Sequence, residues 1–254
     1  MDNIRNLTPE EKNHYEEKGY VILQNLFTKG ECDEIKETML AVLDGRKQVK
    51  GFTPRSKDDP GAFWFRVFNL HIQEPYFLNW LTHPRLKKPL EDICGGAVDG
   101  IQMMYFFKGS EQARHQDQYY LPECFAAWIA LMPVNPDNGT IYIQEGSHRG
   151  HVITGEERGF KNTQDPVSWE GYNEEVDALF EKNGLPEYPI IADVGDVVIF
   201  HGRLIHRGGP IQKPGSFRHA LVNHYIPHDF HPWPFPQMPR YDFTGIRREA
   251  DAVV

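Results

Sequence analysis

The sequence predicts a mainly β fold with flanking helices, built as a sandwich or jelly roll. Helical patterns dominate the chain up to the Gly95-Gly96 break, whereas short apolar runs separated by turn residues dominate from Ile101 onward. Many short strands with such turns are typical of a sandwich or jelly roll. The 254 residues, of which 40% are hydrophobic and 13% aromatic, suffice for one domain with a full core.

Two capping boxes predict where the first helices begin. Thr8-Pro9-Glu10-Glu11 places proline at the first helical position, and Gly19 follows the last helical residue. Tyr20-Val21-Ile22-Leu23 is then typical of a short buried strand. Thr28-Lys29-Gly30-Glu31 begins a second helix, which Gly45 ends.

The chain is less regular between the second helix and the strand-rich part. Residues 46–63 are polar and contain several Gly, Pro, Lys and Asp residues, so we expect a long loop of the kind that often carries function. Two shorter helices are expected over Pro75–Leu81 and Arg85–Ile93.

Six segments of the second part are strand-like: Ile101–Phe107, Ala126–Leu131, Thr140–Ile143, Ile190–Ala192, Val197–Phe200 and Ala220–Ile226. Asn138-Gly139 and Asp193-Val194-Gly195-Asp196 predict turns between strands. Residues 155–188 interrupt the strands with acidic sequence that is most clearly helical over Glu174–Lys182. We therefore expect a single domain over 1–254, with a mostly helical support at 1–95, a jelly-roll core at 100–230 and an insertion or lid at 155–188.

Composition and charge argue against several classes of protein. The net charge of −9 does not suit nucleic acid, because phosphate binding needs a basic surface. Cys32, Cys94 and Cys124 form no CxxC pair, so they predict neither a zinc knuckle nor a disulfide framework and favour a reducing compartment. The polar first residues, the Ala-Val-Val end and the lack of a long apolar run add to the expectation of a cytoplasmic protein without a membrane partner. A monomer and a homodimer are both open.

His115-Gln116-Asp117, together with one distant histidine, is the most informative motif. Alternate side chains of an extended segment share a face, so His115 and Asp117 can point at one ion. His206 lies near the start of a later strand and can complete two histidines and a carboxylate, the set that holds non-haem Fe(II) and leaves positions open. Mn(II) and Zn(II) accept the same ligands. His201 competes with His206 as the third ligand, and the spacing to Arg218 favours His206.

Arg218 follows His206 by twelve residues, which is near enough to place a cation beside the metal. Its planar guanidinium suits a carboxylate. A metal, open positions and a fixed cation together describe a site for a small carboxylate co-substrate and O2. Without the metal ligands, Arg218 would be interpreted as an ordinary surface residue of a strand.

These residues resemble the phytanoyl-CoA dioxygenase-like family of Fe(II)/2-oxoglutarate oxygenases over most of the chain. The resemblance is carried, in order, by Leu7–Glu10 with Gly19–Leu23, by His115–Asp117, by Trp128–Leu131 with Asn138-Gly139, by Gly146-Ser147-His148, and by Phe200–Gly202 through His206 to Arg218. It implies a double-stranded β-helix, the cupin-like jelly roll, with Fe(II) held by His115, Asp117 and His206. It also implies 2-oxoglutarate chelating the iron, Arg218 on its distal carboxylate, and Gln102 and Trp128 near the co-substrate.

The implied reaction uses O2, releases succinate and CO2, and hydroxylates an unactivated C–H bond of a small molecule. Family halogenases replace the metal carboxylate by a small residue, so the presence of Asp117 favours hydroxylation. One departure concerns a serine that some relatives carry two residues after the metal histidine, where this chain has Gly208. Either another donor replaces that hydroxyl or Arg207 takes part.

Substrate contacts are expected from the loop at 51–66, the insertion and the C-terminal tail. Four candidates are Arg55, Trp64, Arg66 and Arg114, whose cations favour an anionic substrate; solvated surface charges are the equal alternative. The aromatic, proline-rich tail from His228 to Phe235 could cap the pocket or cover a sheet edge.

Two other functional classes share parts of this pattern. A jelly-roll zinc hydrolase or isomerase would keep the metal ligands but would not need Arg218. A non-catalytic small-molecule-binding barrel would have little use for three ligands on one open face.

Overall fold

The computed structural model describes residues 4–53, 66–160, 168–233, 235 and 237–248. Within these ranges there are five α-helices: α1 Pro9–Lys18, α2 Lys29–Leu43, α3 Pro75–Leu81, α4 Pro84–Cys94 and α5 Tyr172–Asn183. None of them is both long enough and apolar enough to cross a membrane.

Eleven strands occur in the same ranges: β1 Tyr20–Leu23, β2 Arg66–Phe68, β3 Val98–Phe106, β4 Phe125–Ala130, β5 Ile141–Gln144, β6 Glu187–Pro189, β7 Val197–His201, β8 His206–Gly208, β9 Ala220–Pro227, β10 Arg240–Tyr241 and β11 Arg247–Arg248. Eight of them form an antiparallel sheet in the order β1-β7-β4-β9-β3-β10-β11, with β2 also paired to β3. The other three form a small sheet in the order β6-β5-β8.

The large sheet has two apolar faces because its side chains alternate. On β4, Ala127 and Ile129 belong to a core that also contains residues of α2, α3 and α4, so this face packs on the helices. Ala126 and Trp128 belong to a second core shared with Ile141 and Ile143 of the small sheet. The space between the two sheets is therefore the interior of the jelly roll, and its open end holds the candidate site.

The helix predictions are confirmed to within two residues. Both capping boxes form: Thr8 caps α1 with Glu11, and Thr28 caps α2 with Glu31. Gly19 ends α1 in the left-handed conformation, as the pattern predicted. The turn before β7 also forms, and Gly195 is required there because a Cβ would lie 1.9 Å from the Phe27 carbonyl oxygen.

One strand prediction is wrong, and one turn prediction is confirmed. Residues Ile190–Ala192 are not a named strand; the ladder with β5 runs earlier, over Glu187–Pro189, and Ala192 makes only an isolated bridge to Val134. The apolar pattern indicated Ile190 and Ala192 because both are buried between the sheets. Asn138-Gly139 does turn the chain, but it joins β4 and β5, which lie in different sheets.

The C-terminal tail extends the edge of the large sheet. β10 pairs with β3, and the fully buried carboxylate of Asp99 accepts hydrogen bonds from Arg240 and Arg248, each at 2.8 Å. Trp233 is fully buried in a small cluster that includes Ile101. Of the two expected roles, covering a sheet edge is the one that these contacts support.

His71 offers a test of the core by pH. It is 2% exposed, neither ring nitrogen has a hydrogen-bond partner in the described part of the chain, and burial lowers its pKa to about 4. The unfolded chain takes up a proton near pH 6.5, whereas folded His71 stays neutral down to about 4, so stability falls as pH drops below 6.5. This residue alone should cost about 2 kcal/mol at pH 5, on about 1.4 kcal/mol per pKa unit.

We expect His71→Phe to remove that part of the acid destabilisation, because phenylalanine keeps the edge contact with Tyr241 and has no polar atoms. The measurement is urea unfolding of metal-free protein at pH 7.5 and pH 5.0. The exposed His151 is the matched control. His151→Phe should lose as much free energy of unfolding between pH 7.5 and pH 5.0 as the wild type does. If His71→Phe lost as much free energy of unfolding between these pH values as the wild type, His71 would not be a source of the acid destabilisation.

Candidate metal centre

The two histidines of the motif are brought together by backbone pairing. His115 and His206 form an isolated antiparallel bridge, with hydrogen bonds of 2.9 and 3.1 Å in the two directions. Gln116 is extended (φ −122°, ψ 126°), so Asp117 returns to the same side as His115. Local alternation therefore sets the first pair of side chains, and the strand β8 supplies the third.

The three side chains form a compact ligand set. The Asp117 Oδ1 atom lies 3.6 Å from His115 Nε2 and 3.7 Å from His206 Nε2, and the three ligand atoms are all within 4.8 Å of one another. His115 Nδ1 contacts the Ala113 carbonyl at 2.8 Å, and His206 Nδ1 contacts the Leu204 carbonyl at 2.9 Å. Since Nδ1 must donate in these bonds, the lone pairs of both Nε2 atoms are available to a metal.

Further hydrogen bonds fix the Asp117 carboxylate. His224 Nε2 lies 3.1 Å from Oδ2, and the Tyr120 hydroxyl donates to Oδ1 at 2.5 Å. Gln116 points the other way: its amide donates to the carbonyls of His151 and Arg203, at 3.0 and 2.8 Å. The segment that carries the motif is thus held from both sides.

The electrostatics of the cluster suit a divalent cation. Burial, and then the neighbouring His206, lower the pKa of His115 to about 3, so its imidazole is neutral at physiological pH. Burial alone would raise the pKa of Asp117, but His206, His224 and His115 outweigh it and hold that pKa well below its usual range. A neutral imidazole at His115 and an ionised carboxylate at Asp117 are protonation states that metal binding requires.

Arg218 lies in the same pocket, buried between the sheets. It is 1% exposed and its Nη1 donates to the Gly139 carbonyl at 2.9 Å, while Nε has no partner in the described residues. Its guanidinium lies 5.3 and 5.6 Å from the ring centres of Phe106 and Trp128. Burial lowers its pKa to about 10, which leaves it charged at neutral pH. No carboxylate of the described chain pairs with this cation.

Gly208 leaves space that another residue fills. A Cβ at Gly208 would lie 2.6 Å from Ser110 Oγ and 2.7 Å from the backbone nitrogen of Gln112. Ser110 lines the pocket that also contains Arg218. Arg207 lines it as well but makes a bidentate ion pair with Glu187, at 3.0 and 2.7 Å. Ser110 is therefore the hydroxyl available where a serine at 208 is missing.

The other predicted residues fall into three groups. Trp128 and Arg66 line the pocket, and Arg66 donates to Gln112 at 3.3 Å. Gln102 does not line it, and Arg114 is paired with Asp177 and Glu187 beside α5. Arg55 and Trp64 lie outside the described residues.

His201, the competing ligand, lies outside the cluster and packs against Tyr15 and His148.

Four residues of the site were missed from the sequence: His224, Tyr120, Gln112 and Ser110. The sequence does contain a pattern that indicates His224, because it lies six residues after Arg218, which is on the extended segment before β9. Alternation places Arg218 and His224 on the same, inward face of the segment leading through β9. Gln112, whose amide lies 3.2 Å from His115 Nε2, precedes the motif on an irregular segment and carried no such signal.

Comparison with known proteins gives both family and structural matches. A family profile described as "Phytanoyl-CoA dioxygenase (PhyH)" matches residues 15–220. The protein named "Phytanoyl-CoA dioxygenase, peroxisomal" of Homo sapiens is 25% identical, and the match covers 89% of this chain and 70% of that protein. "Phytanoyl-CoA dioxygenase 1" of Oryza sativa subsp. japonica is also 25% identical, with 87% and 89% covered.

Among solved structures, EctD from S. alaskensis with 2-oxoglutarate and 5-hydroxyectoine is similar with a TM-score of 0.69 at 16% identity, covering 99% of this chain and 88% of that chain. The non-heme alpha ketoglutarate dependent carbocyclase SnoK from nogalamycin biosynthesis gives 0.68 at 19% identity, covering 98% and 94%. At such identities the likeness is one of fold, and it confirms the predicted jelly-roll class.

Proposed function

Because the chain belongs to the phytanoyl-CoA dioxygenase family, we propose that it is an Fe(II)- and 2-oxoglutarate-dependent dioxygenase that hydroxylates an unactivated C–H bond of a small molecule. Succinate and CO2 are the expected co-products. One observation carries the co-substrate assignment: the buried cation of Arg218 shares a pocket with two histidines and a carboxylate, and no described carboxylate pairs with it. An isolated buried charge is costly, so the pocket suits an anion that enters with the metal.

The residues fit the metal and co-substrate. Fe(II), 2-oxoglutarate and O2 supply the oxidising chemistry when bound. His115, Asp117 and His206 would hold one face of the ion and leave the opposite face for the co-substrate. Arg218 would donate to the distal carboxylate, and Ser110 would add a hydroxyl donor in place of a side chain at 208. Trp128, Phe106 and Met104 give the pocket an apolar part of its lining.

We propose that the substrate is anionic and approaches past Arg66. A second depression shares Arg66, Ser110 and Gln112 with the first pocket and adds Trp169 and Asn173. Asp117, a metal ligand, is the one carboxylate among the described residues that line the two depressions. An aromatic ring, amides and a cation among these described lining residues favour a substrate with a carboxylate or phosphate. Arg114 has no part in this proposal, because it lines neither depression.

The decisive test is anaerobic titration of the protein with Fe(II) and then 2-oxoglutarate. We expect a visible charge-transfer band that requires both, followed by O2-dependent succinate release that substrate accelerates. Tight Zn(II) binding with no response to 2-oxoglutarate would favour the hydrolase or isomerase class. A band without succinate formation across a broad panel of substrates would favour the non-catalytic barrel.

A cytoplasmic location is also part of the proposal. It is supported by three cysteines that form no disulfide, as a reducing compartment would keep them. Cell fractionation tests it, and a peroxisomal pool, as in the name of the human relative, would contradict it.

A further inference from the structure

We infer that Gln102 and His224 form, with Asp117, a buried hydrogen-bonded chain that orients the metal-binding carboxylate. The inference rests on the proposed function only in taking Asp117 as a metal ligand. It assigns Gln102 as a positioning residue that acts through His224, not as a contact of the co-substrate. The three residues are called the Gln102–His224–Asp117 chain below.

The first link is the contact between His224 and Asp117. His224 is 1% exposed, and its Nε2 lies 3.1 Å from Asp117 Oδ2. The other oxygen, Oδ1, faces both histidine ligands. A carboxylate can only accept, so His224 Nε2 carries a hydrogen, and in the neutral ring Nδ1 then offers a lone pair. His224 holds Oδ2 and so leaves Oδ1 for the metal.

The second link joins Gln102 to His224. The two residues are directly opposite each other on β3 and β9, a position in which Cβ atoms lie about 4.5–5.5 Å apart. Gln102 Oε1 and His224 Nδ1 are both buried and both lack a partner in the described residues. A buried polar atom without a hydrogen-bond partner destabilises the fold. The inferred bond is one from the Gln102 amide N–H to His224 Nδ1, and it requires the oxygen and nitrogen ends of the amide to be exchanged.

A β-bulge creates this pairing. The register of β3 on β9 shifts between Gly100 and Gln102, so Gly100 is opposite Tyr225 and Gln102 is opposite His224. In a regular ladder Gln102 would instead face Asn223, whose side chain points toward the helices and bonds the Trp80 carbonyl. Bulges commonly re-aim a side chain beside an active site. Here the bulge turns Gln102 to the inward face.

The chain of hydrogen bonds should therefore act on metal affinity. Loss of an outer partner of a metal ligand typically costs about 10–100-fold in metal affinity. His224→Leu should weaken Co(II) or Mn(II) binding by that amount, whereas His224→Gln, whose amide nitrogen can replace Nε2, should recover most of the loss. Gln102→Met should weaken metal binding by a smaller factor and should change the ligand-field spectrum of the Co(II) protein.

The experiment is calorimetric titration of metal into metal-free wild type and these variants, followed by 2-oxoglutarate into the metal-saturated proteins. Asn223→Leu is the matched control, since it removes a buried amide from the opposite face of the same strand; it should lower thermal stability and leave metal affinity unchanged. The proposal is overturned if Gln102→Met leaves metal affinity and the Co(II) spectrum unchanged while raising the Kd of 2-oxoglutarate. If His224→Leu does not fold, the Gln102→Met and His224→Gln titrations decide.

Failure of the proposed function gives a different result. In that case the wild-type protein would bind metal, but the metal-saturated protein would not bind 2-oxoglutarate. The ranking of metal affinities among the variants would still hold.

Discussion

Replacing Asp117 with alanine is expected to abolish coupled succinate formation. Asp117 supplies the only anionic ligand of the cluster, and its Oδ1 lies within 3.7 Å of both imidazole nitrogens. Without it, only two imidazoles of the cluster remain to hold a divalent cation in a buried pocket. The loss of metal affinity should exceed the roughly 10–100-fold that removal of an outer partner costs, because a direct ligand and its charge disappear together.

The measurement pairs metal titration with succinate assays at saturating substrate. Asp33→Ala is a suitable control, because Asp33 is a surface carboxylate paired with Lys29 and Lys36. It should retain wild-type metal affinity and turnover. Full coupled turnover in Asp117→Ala would remove the basis for placing the metal at this cluster.

The parts of the fold that the sequence predicts well are those set by local interactions. A capping box satisfies the first backbone N–H groups of a helix with side chains three residues apart, so Thr8 and Thr28 could be read directly. The His115–Asp117 pair could be predicted for a similar reason. Side chains alternate along an extended segment whether or not it pairs with another strand. Likewise, runs of apolar residues predicted the bounds of β4, β7 and β9 to within a residue or two.

The contacts that shape the site depend on pairing between distant segments. The bulge that turns Gln102 inward is a property of two strands, and no pattern within β3 reveals it. The space above Gly208 is filled by Ser110, which lies almost a hundred residues earlier in the chain. The ladder of β6 on β5 begins before the apolar residues that suggested a strand, because hydrogen-bond register and burial are set by different neighbours.

Replacing Arg218 with methionine is expected to change stability and co-substrate binding in opposite directions. The buried guanidinium has one backbone acceptor at 2.9 Å and an unpartnered Nε, so the metal-free fold carries the cost of an almost isolated charge. Methionine fills similar space without that charge, and metal-free Arg218→Met should unfold at a temperature equal to or above that of wild type. In contrast, losing one partner of a buried charged hydrogen bond costs about 2–5 kcal/mol. The Kd of 2-oxoglutarate should therefore rise between about 30-fold and about 4,000-fold, at about 1.4 kcal/mol for each factor of ten.

Thermal unfolding with and without Mn(II) and 2-oxoglutarate tests both effects at once. Ligands stabilise the state that binds them. Adding 2-oxoglutarate to the Mn(II) proteins should therefore raise the unfolding temperature of the wild type but not that of Arg218→Met. With both ligands present, the wild type should be the more stable of the two proteins. Arg218→Lys should fall between them, because it keeps the charge but loses the bidentate geometry. Arg203→Met is the control: Arg203 bonds the Gly150 carbonyl outside the pocket, so the 2-oxoglutarate response should persist. A normal 2-oxoglutarate response in Arg218→Met would show that the co-substrate carboxylate is bound by another residue.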